Sequence, residues 1–197
     1  SGCVSFTIAV ESANSVRLRR VRKPNYIKLA PPIVQKAKDL GIEVRGFFMI
    51  GFPSETLEEV QRTVAYARGL QLAVTNFAIV TPLPGTVFYK ECVEAGLLNE
   101  ETVDFEDFTY GAFDIQLAEV PNEQLRVIRK IEWMRTIFLD GAGNFRHDLR
   151  LKQEDVLNEL SKAVALFPDN DEIRSMYGQA RQVYQRLNDS ERIRLAG

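Results

Sequence analysis

Three short segments of this sequence contain residue types that could bind a ligand. They are Glu11-Ser12-Ala13-Asn14, Gly51-Phe52-Pro53-Ser54-Glu55-Thr56 and Thr81-Pro82-Leu83-Pro84-Gly85-Thr86. Each follows a run of strand-forming residues, and the loops that follow parallel strands carry the ligand sites of α/β proteins. A purely structural role would also explain each segment alone, because a charged residue can end a strand and Gly and Pro supply the dihedral angles of tight turns. Their shared position after strands favours a common ligand site.

The two cysteines, Cys3 and Cys92, do not form a metal-binding motif. They lie far apart and have no Cys or His neighbour at ligand spacing, whereas a zinc or iron–sulfur site needs three or four converging ligands. We interpret both as reduced thiols, and the sequence alone leaves a disulfide between them open. The single histidine, His147, lies in a polar stretch and is interpreted as a surface residue. No metal site is predicted.

The composition is typical of a soluble globular protein. Of the 197 residues, 45% are hydrophobic and 26% are charged, and the net charge is −2. Such a balance creates no field that would attract nucleic acid or anionic lipid. The longest apolar stretches have the length of strands, far below the roughly 18 residues of a membrane span. We therefore predict a cytoplasmic protein with no membrane span and no nucleic-acid partner.

Strand and helix patterns alternate in the first half of the chain. The predicted strands are Ser5 to Val10, Val44 to Ile50 and Val74 to Val80. Helical spacing predicts a helix opened by Pro31-Pro32 and another begun by a capping box of Thr56 and Glu59. A shorter helix, Val87 to Glu94, follows the third strand. This order implies parallel strands joined by crossover helices, so the predicted fold class is α/β.

The alternation of residues also predicts which side chains face a ligand. Thr7, Ala9 and Glu11 share one face of the first strand, because successive side chains of a strand point to opposite sides. In the third strand, Asn76 and Ala78 are expected on the corresponding face. Small and polar side chains on that face leave room for a ligand.

The strand signal disappears after about residue 116. Asn122 is predicted to begin a helix that Gly141 ends. Two further helices, Glu154 to Phe167 and Asp171 to about Leu187, are predicted to form a helical hairpin. Its spacing is similar to one tetratricopeptide unit, but such arrays need about three repeats, so a terminal helix pair is favoured.

Four groups of residues, taken in order, resemble the radical S-adenosylmethionine superfamily. They are Ala9-Val10-Glu11-Ser12, Arg22-Lys23-Pro24, Gly46 to Thr56 and Thr81 to Thr86. The pattern is most similar to the branch that often carries an N-terminal cobalamin-binding domain and includes anaerobic magnesium-protoporphyrin ester cyclases. It covers about residues 2–110. The resemblance implies the last three strand–helix units of a partial parallel (β/α)6 barrel in residues 1–115, followed by an all-helical tail in residues 116–197.

The resemblance also implies a cofactor site at the ends of the strands. The residues that it implicates are Glu11, Ser12, Lys23, Met49, Ile50, Gly51, Val80, Thr81 and Pro82. Glu11 and Ser12 would contact the ribose of S-adenosylmethionine, since a carboxylate accepts hydrogen bonds from hydroxyl groups. The second strand would press on the adenine, where Gly51 would permit close approach of the backbone to the ring. The end of the third strand would offer backbone groups to the adenine edge.

Lys23 would lie near the mouth of this site, where an ammonium group could pair with a carboxylate. A different explanation exists for it, because it follows a run of basic residues that would also suit a solvated surface. These residues are Arg17, Arg19, Arg20 and Arg22.

The sequence departs from the superfamily in one respect: it lacks the Cys-x-x-x-Cys-x-x-Cys motif that binds the four-iron four-sulfur cluster. The resemblance therefore implies a fragment of a radical enzyme, of iron–sulfur oxidoreductase or methyltransferase type, that is inactive alone. No catalytic residue is assigned. The parent would use S-adenosylmethionine and the cluster, with cobalamin left open, and would act on a small molecule. The partner would be the missing N-terminal half of the same polypeptide.

Without that half, the strand at Ser5 to Val10 would be an exposed sheet edge. Such an edge, with neither proline nor charge, is a template for pairing with another chain. We expect self-association through this strand, or a cover formed by the C-terminal helices.

Two other hypotheses fit the same features. The chain could be a non-enzymatic interaction module, built from the α/β unit and the helical hairpin. It could also be part of an unrelated α/β enzyme with a site at the same strand ends. A cysteine triplet encoded upstream would support the radical-enzyme hypothesis, and binding of S-adenosylmethionine by the chain would distinguish it from the other two.

Because two separated cysteines cannot replace three converging thiolates, the 197-residue chain should not assemble a cluster. Anaerobic reconstitution with iron and sulfide should leave no stable cluster absorbance after desalting. A stoichiometric, catalytically competent cluster in this chain would contradict the fragment hypothesis.

Overall fold

The computed structural model describes residues 2–104, 108, 115–138 and 153–196. The chain divides into two compact units, Ser1–Trp133 and Met134–Gly197. Residues 116–133 thus group with the sheet, beyond the boundary predicted at residue 115. The functional division into a barrel half and a tail stays a prediction.

The first unit contains a sheet of three parallel strands. They are β1 (Ser5–Glu11), β2 (Glu43–Ile50) and β3 (Val74–Ile79), in the spatial order β1-β2-β3. Ala9 is opposite Phe47, and Phe47 is opposite Asn76; the register of β1 then shifts by one residue, so that Glu11 is opposite Phe48. The predicted α/β class with three parallel strands is confirmed, and β1 is an edge strand of this sheet.

Helices connect the strands and continue to the C-terminal part of the chain. They are α1 (Ser15–Arg20), α2 (Tyr26–Asp39), α3 (Leu57–Gly69), α4 (Val87–Glu94), α5 (Asn122–Phe138), α6 (Gln153–Leu166) and α7 (Asp171–Ala196). In the second unit, α6 and α7 pack against each other as the predicted hairpin. The helical nature of the C-terminal part is confirmed, while Gly141 and His147 lie outside the described residues. No described helix is long and apolar enough to cross a membrane.

The predicted start of α2 is wrong, because the helix begins at Tyr26 and contains Pro31 and Pro32 in its interior. Proline has no N–H, so Pro31 cannot donate to the carbonyl oxygen of Ile27 one turn earlier. The hydroxyl of Tyr66 on α3 donates to that oxygen instead, at 2.8 Å. A side chain from a neighbouring helix therefore replaces the missing backbone hydrogen bond.

The core lies between the sheet and its helices. Val10, Phe48 and Phe77, one from each strand, are at most 2% exposed, and the rings of Phe48 and Phe77 stack with centroids 5.4 Å apart. Residues of α2 and α3 that pack in the same cluster are Ala30, Val34, Ala37, Val60, Val64 and Ala67. On the opposite face of β2, Phe47 is 41% exposed. The sheet thus buries one face under helices and leaves the predicted ligand face accessible.

At Gly46, β2 packs closely against buried side chains of the core. A Cβ atom at residue 46 would lie 2.3 Å from Cδ1 of Leu72 and 3.0 Å from Cε2 of Phe48. We expect Gly46→Ala to lower the free energy of unfolding by about 1–3 kcal/mol, because both neighbours are buried and must shift. Urea denaturation measures the change.

Gly69→Ala is the matched control, since no heavy atom lies within 4 Å of a Cβ at that helical position. Alanine there should be neutral or stabilising, by up to about 1 kcal/mol. Equal unfolding midpoints for the two variants would contradict close packing at Gly46.

Candidate functional site at the carboxyl edge of the sheet

The carboxyl ends of the three strands lie at one edge of the sheet because all strands are parallel. Glu11, Ile50 and Ile79 are the last residues of these strands. Beyond them, the N–H of Val80 donates to the carbonyl oxygen of Ile50 at 2.8 Å, which holds the second and third strand ends together. The segments selected from the sequence therefore meet at this edge.

Glu11 forms an ion pair at the end of β1. Its Oε1 lies 2.6 Å from Nζ of Lys23, which also donates to the carbonyl oxygen of Ala9 at 3.1 Å. The two side chains are 15% and 27% exposed, so the pair is partly buried, and Lys23 lines a cavity beside it. Glu11 has a φ of 72°, a left-handed conformation that costs a residue other than glycine about 1–3 kcal/mol. The structure thus brings Lys23 next to Glu11 at a strained strand end.

A cavity of about 320 Å³ opens beside this ion pair, between β1 and α2. It is lined by Lys23, by residues 7–10 of β1 and by Tyr26, Leu29, Ala30 and Ile33 of α2. The lining is mostly apolar, and the Lys23 ammonium group is its one charged group.

Ser12 has a different environment from that of Glu11. Its side chain is fully buried; its hydroxyl accepts the N–H of Asn14 at 3.0 Å and lies 3.4 Å from Oγ1 of Thr63 on α3. The N–H of Ala13 donates to the same threonine oxygen at 3.3 Å. Ser12 therefore closes the turn of residues 11–14, here called the β1 turn, and fastens it to α3. A ribose contact of its side chain stays a prediction.

The second strand end is organised by Glu55, which the sequence analysis did not single out. Its side chain is fully buried, and Oε2 accepts the N–H groups of Gly51 and Phe52 at 2.6 and 3.1 Å. Oε1 has no hydrogen-bond partner among the described residues. Burial raises the pKa of Glu55, against the opposing effect of the two N–H donors and of Arg17. The carboxyl group fixes the start of the turn of residues 51–56, here called the β2 turn.

The end of β2 packs closely within the protein core. Ile50 is 0% exposed within the core, and a Cβ at Gly51 would lie 2.9 Å from Cδ1 of Leu125 on α5. Glycine at residue 51, whose φ is 86°, therefore allows the close approach of Leu125. The predicted close approach of a ligand is a separate role for the same residue. Met49 faces the other way and is partly buried. Contacts of these three residues with adenine stay predictions.

The segment that follows β3 is held by backbone and side-chain hydrogen bonds. Val80 is 1% exposed and its N–H is used by Ile50, while Oγ1 of Thr81 donates to the carbonyl oxygen of Ile79 at 3.3 Å. Pro82 is buried. Further along, Oγ1 of Thr86 accepts the N–H of Tyr89 at 3.1 Å and begins α4. The segment has a structural role, and its contact with adenine stays a prediction.

Arg17, which belongs to the basic run that would also suit a solvated surface, is mostly buried. Its Nη1 donates to the carbonyl oxygen of Pro53 at 2.7 Å, and its Nη2 donates to that of Ser54 and to Oε2 of Glu59, both at 3.1 Å. Burial opposes ionisation of Glu59, but the Thr56 N–H and the Arg17 guanidinium outweigh it and hold the pKa of Glu59 below its ordinary value. No local pattern in the sequence reveals these contacts, because they join segments about 40 residues apart.

The described residues do not fit an iron–sulfur cluster. Cys3 is exposed before β1, at the edge of the sheet opposite to Glu11, and Cys92 is buried on α4. Burial raises the pKa of the Cys92 thiol, which disfavours the thiolate that a metal needs. In the part of the chain that the structure describes, no three His, Cys, Asp or Glu side chains converge as metal ligands. The pair of Glu11 and Lys23, an acceptor beside a cation, does fit a polar organic ligand.

The fold and the site together define an α/β protein with a candidate ligand site at the carboxyl edge of a parallel sheet. Over 130 residues the chain is 32% identical to an uncharacterized methyltransferase of Pyrococcus horikoshii, a match that covers 66% of this chain and 28% of the relative. The cytidylyl-2-hydroxyethylphosphonate methyltransferase of Streptomyces wedmorensis is 30% identical over 108 residues, 51% of this chain and 20% of that protein.

A third relative is the anaerobic magnesium-protoporphyrin IX monomethyl ester cyclase of Rubrivivax gelatinosus, 27% identical over 110 residues, 56% of this chain and 19% of that protein. No family model matches the sequence. The chain is homologous to these methyltransferases and this cyclase, which confirms the resemblance to the cobalamin-binding branch of the radical S-adenosylmethionine superfamily. The chain matches less than a third of the length of each relative.

The raised pKa of Glu55 should make the stability of the fold depend on pH. A carboxyl group that binds its proton more tightly in the folded state stabilises the fold at pH below its ordinary pKa. This contribution is lost as the pH rises through the raised pKa. We expect urea midpoints of the wild-type chain to fall over this range relative to those of Glu55→Gln, which cannot ionise.

Glu58→Gln is the control, because it removes an exposed carboxylate from the first turn of α3, three residues after Glu55. Its pH profile should run parallel to that of the wild type. A parallel profile for Glu55→Gln as well would show that Glu55 does not take up a proton preferentially in the folded protein.

Proposed function

We propose that this chain supplies the ribose- and adenine-contacting strand ends of a radical S-adenosylmethionine enzyme, of methyltransferase or iron–sulfur oxidoreductase type. The observation that carries the proposal is the partly buried ion pair of Glu11 and Lys23, beside a cavity that Lys23 lines, at the carboxyl end of a parallel strand. Homology to two methyltransferases and a cyclase supports the enzyme class.

The proposed contacts begin with Glu11. One of its oxygens is bonded to Lys23, and the carboxylate retains lone pairs that can accept a ribose hydroxyl. Lys23 uses two of its three ammonium protons, for Ala9 and Glu11, so the third can reach the carboxylate of the methionine part. Each partner therefore orients the other for a ligand that contains both hydroxyl and carboxylate groups.

The remaining proposed residues contribute mainly through backbone position. Ile50 and Val80 are buried and bonded to each other, so their role is to fix the floor beneath the adenine. Gly51, Thr81 and Pro82 continue from this floor, and Met49 supplies an apolar side chain on the accessible face. Ser12 supports Glu11 from the helix side through its contact with Thr63.

The activity of the complete enzyme is proposed from its class. S-adenosylmethionine supplies radical or methyl-transfer chemistry to such enzymes when bound with a four-iron four-sulfur cluster. Because the matched region is 19–28% of the relatives' length and the sequence lacks the cysteine triplet, we place the cluster on polypeptide outside this sequence. Cobalamin, a small-molecule substrate and a cytoplasmic location belong to the same proposal.

The missing half would continue the sheet from β1. That strand is at the edge, and the cavity beside it, between β1 and α2, is where another strand would add. In the absence of that half, self-association through β1 is the proposed alternative. The interaction-module hypothesis uses the same edge but predicts no affinity for S-adenosylmethionine.

The proposal is tested with Glu11→Ala in the complete enzyme with its cluster. Loss of a buried hydrogen bond to a ribose hydroxyl should weaken binding of S-adenosylmethionine by about 1–2 kcal/mol, or roughly 5- to 30-fold. Isothermal titration calorimetry measures the dissociation constant.

Glu43→Ala provides the control, since Glu43 is an exposed carboxylate at the opposite end of the sheet, at the start of β2. It should leave the dissociation constant unchanged. An unchanged constant for Glu11→Ala would remove Glu11 from the site and with it the proposed function.

A further inference from the structure

A network of three polar side chains joins the two turns at the carboxyl edge. Nδ2 of Asn14 donates to Oε1 of Glu59 at 2.6 Å, and Nη2 of Arg17 donates to Oε2 of the same carboxylate at 3.1 Å. Arg17 also donates to the carbonyl oxygens of Pro53 and Ser54. We call Asn14, Arg17 and Glu59 the clamp.

The clamp connects segments that have no backbone hydrogen bond to each other in the described part of the chain. Asn14 begins α1 by accepting the N–H groups of Val16 and Arg17, so it fixes the β1 turn to that helix. Glu59 accepts the N–H of Thr56 in the capping box, so it fixes the β2 turn to α3. The Arg17 guanidinium, which contacts both Glu59 and the β2 turn, is the only described side chain that bonds to the carbonyl groups of residues 53 and 54.

Burial separates the clamp from an ordinary surface ion pair. The side chains of Arg17 and Glu59 are 12% and 18% exposed. Arg20, also on α1, pairs with Glu91 on α4, and both of these side chains are 38% exposed. A pair shielded from water keeps its geometry better than an exposed one, because solvent screens it less. The clamp therefore holds the two turns in a fixed relative position.

Each turn that the clamp joins contains one residue in the left-handed conformation that is not glycine. Glu11 has a φ of 72° and Ser54 a φ of 56°. Such conformations persist only where surrounding contacts over-determine them, and they concentrate at ligand sites. Arg17 binds the carbonyl oxygens of Pro53 and Ser54, which belong to the peptide groups before and after the Cα atom of Ser54, so the clamp supplies such contacts.

We propose that Arg17 is a positioning residue that sets the distance between Glu11 and the Gly51 end of the β2 turn, and thereby the affinity of the site for a nucleoside. This inference rests on the proposed function, which assigns the ribose to Glu11 and the adenine to the second strand end. Arg17 acts through the turns and does not contact the ligand. A planar guanidinium is needed because it donates in fixed directions to three oxygens, which the single ammonium group of lysine cannot reproduce.

The test compares Arg17→Lys with Arg20→Lys, which makes the same change on the same helix at the exposed pair. Arg17→Lys should weaken binding of S-adenosylmethionine to the complete cluster-containing enzyme roughly tenfold, whereas Arg20→Lys should leave the dissociation constant within about twofold. In the 197-residue chain, hydrogen exchange of the Gly51 and Phe52 amides should accelerate in Arg17→Lys only, which reports the geometry of the turn without any cofactor.

Combination with Glu11→Ala separates the two proposals. If Arg17 acts through Glu11 and the β2 turn, the double variant should lose less affinity than the sum of the single losses. A loss for Glu11→Ala with none for Arg17→Lys would overturn the positioning role alone, and no loss for Glu11→Ala would overturn the proposed function.

A lower unfolding midpoint for Arg17→Lys with unchanged affinity and amide exchange would show that Arg17 has only a structural role. Should that variant fail to fold, Glu59→Gln replaces it, since it keeps an acceptor for Asn14 and removes the charge opposite Arg17. Glu59→Gln should weaken the affinity in the same direction, and an unchanged affinity would overturn the proposal.

Discussion

Parallel pairing of the three strands is the constraint on which the arrangement of this protein depends. Each strand must be followed by a crossover that returns to the other end of the sheet, so the loops after β1, β2 and β3 lie at one edge. One face of the sheet is then covered by the crossover helices, with Val10, Phe48 and Phe77 at its centre. The remaining face and the carboxyl edge are where polar side chains can be placed without disturbing the core.

The pKa values of two carboxyl groups at that edge, Glu55 and Glu59, are shifted in opposite directions although the residues are only four positions apart. Glu55 is enclosed and no cationic side chain among the described residues contacts it, so desolvation raises its pKa. Glu59 faces Arg17 and the Thr56 N–H, so its pKa is lowered despite burial. The β2 turn therefore contains a carboxyl group, Glu55, suited to accepting backbone hydrogen bonds in a dry environment, and the first turn of α3 contains one, Glu59, suited to a permanent charge. Their different partners, not their positions in the sequence, decide which is which.

Much of the fold could be predicted from local patterns. Alternation located the strands within about one residue, and the capping box of Thr56 and Glu59 marked the start of α3. The same alternation puts Ile50 on the side of Phe48, towards the helices, so its burial was readable from the sequence. What local patterns could not reveal is long-range pairing: Arg17 with the β2 turn, Leu125 against Gly51, and Lys23 with Glu11 at 2.6 Å. These contacts depend on how the elements pack.

The two prolines inside α2 have a consequence for how the chain folds. Because Ile27 receives its hydrogen bond from Tyr66, α2 cannot satisfy its own backbone until α3 lies against it. An isolated peptide of residues 26–39 should therefore be a poor helix, given that short helices are already marginal in water. The first crossover therefore depends on the second: the carbonyl group of Ile27 gains its hydrogen bond within the protein only when α3 docks against α2. A contact between residues 39 positions apart thus links two crossovers that are consecutive in the sequence.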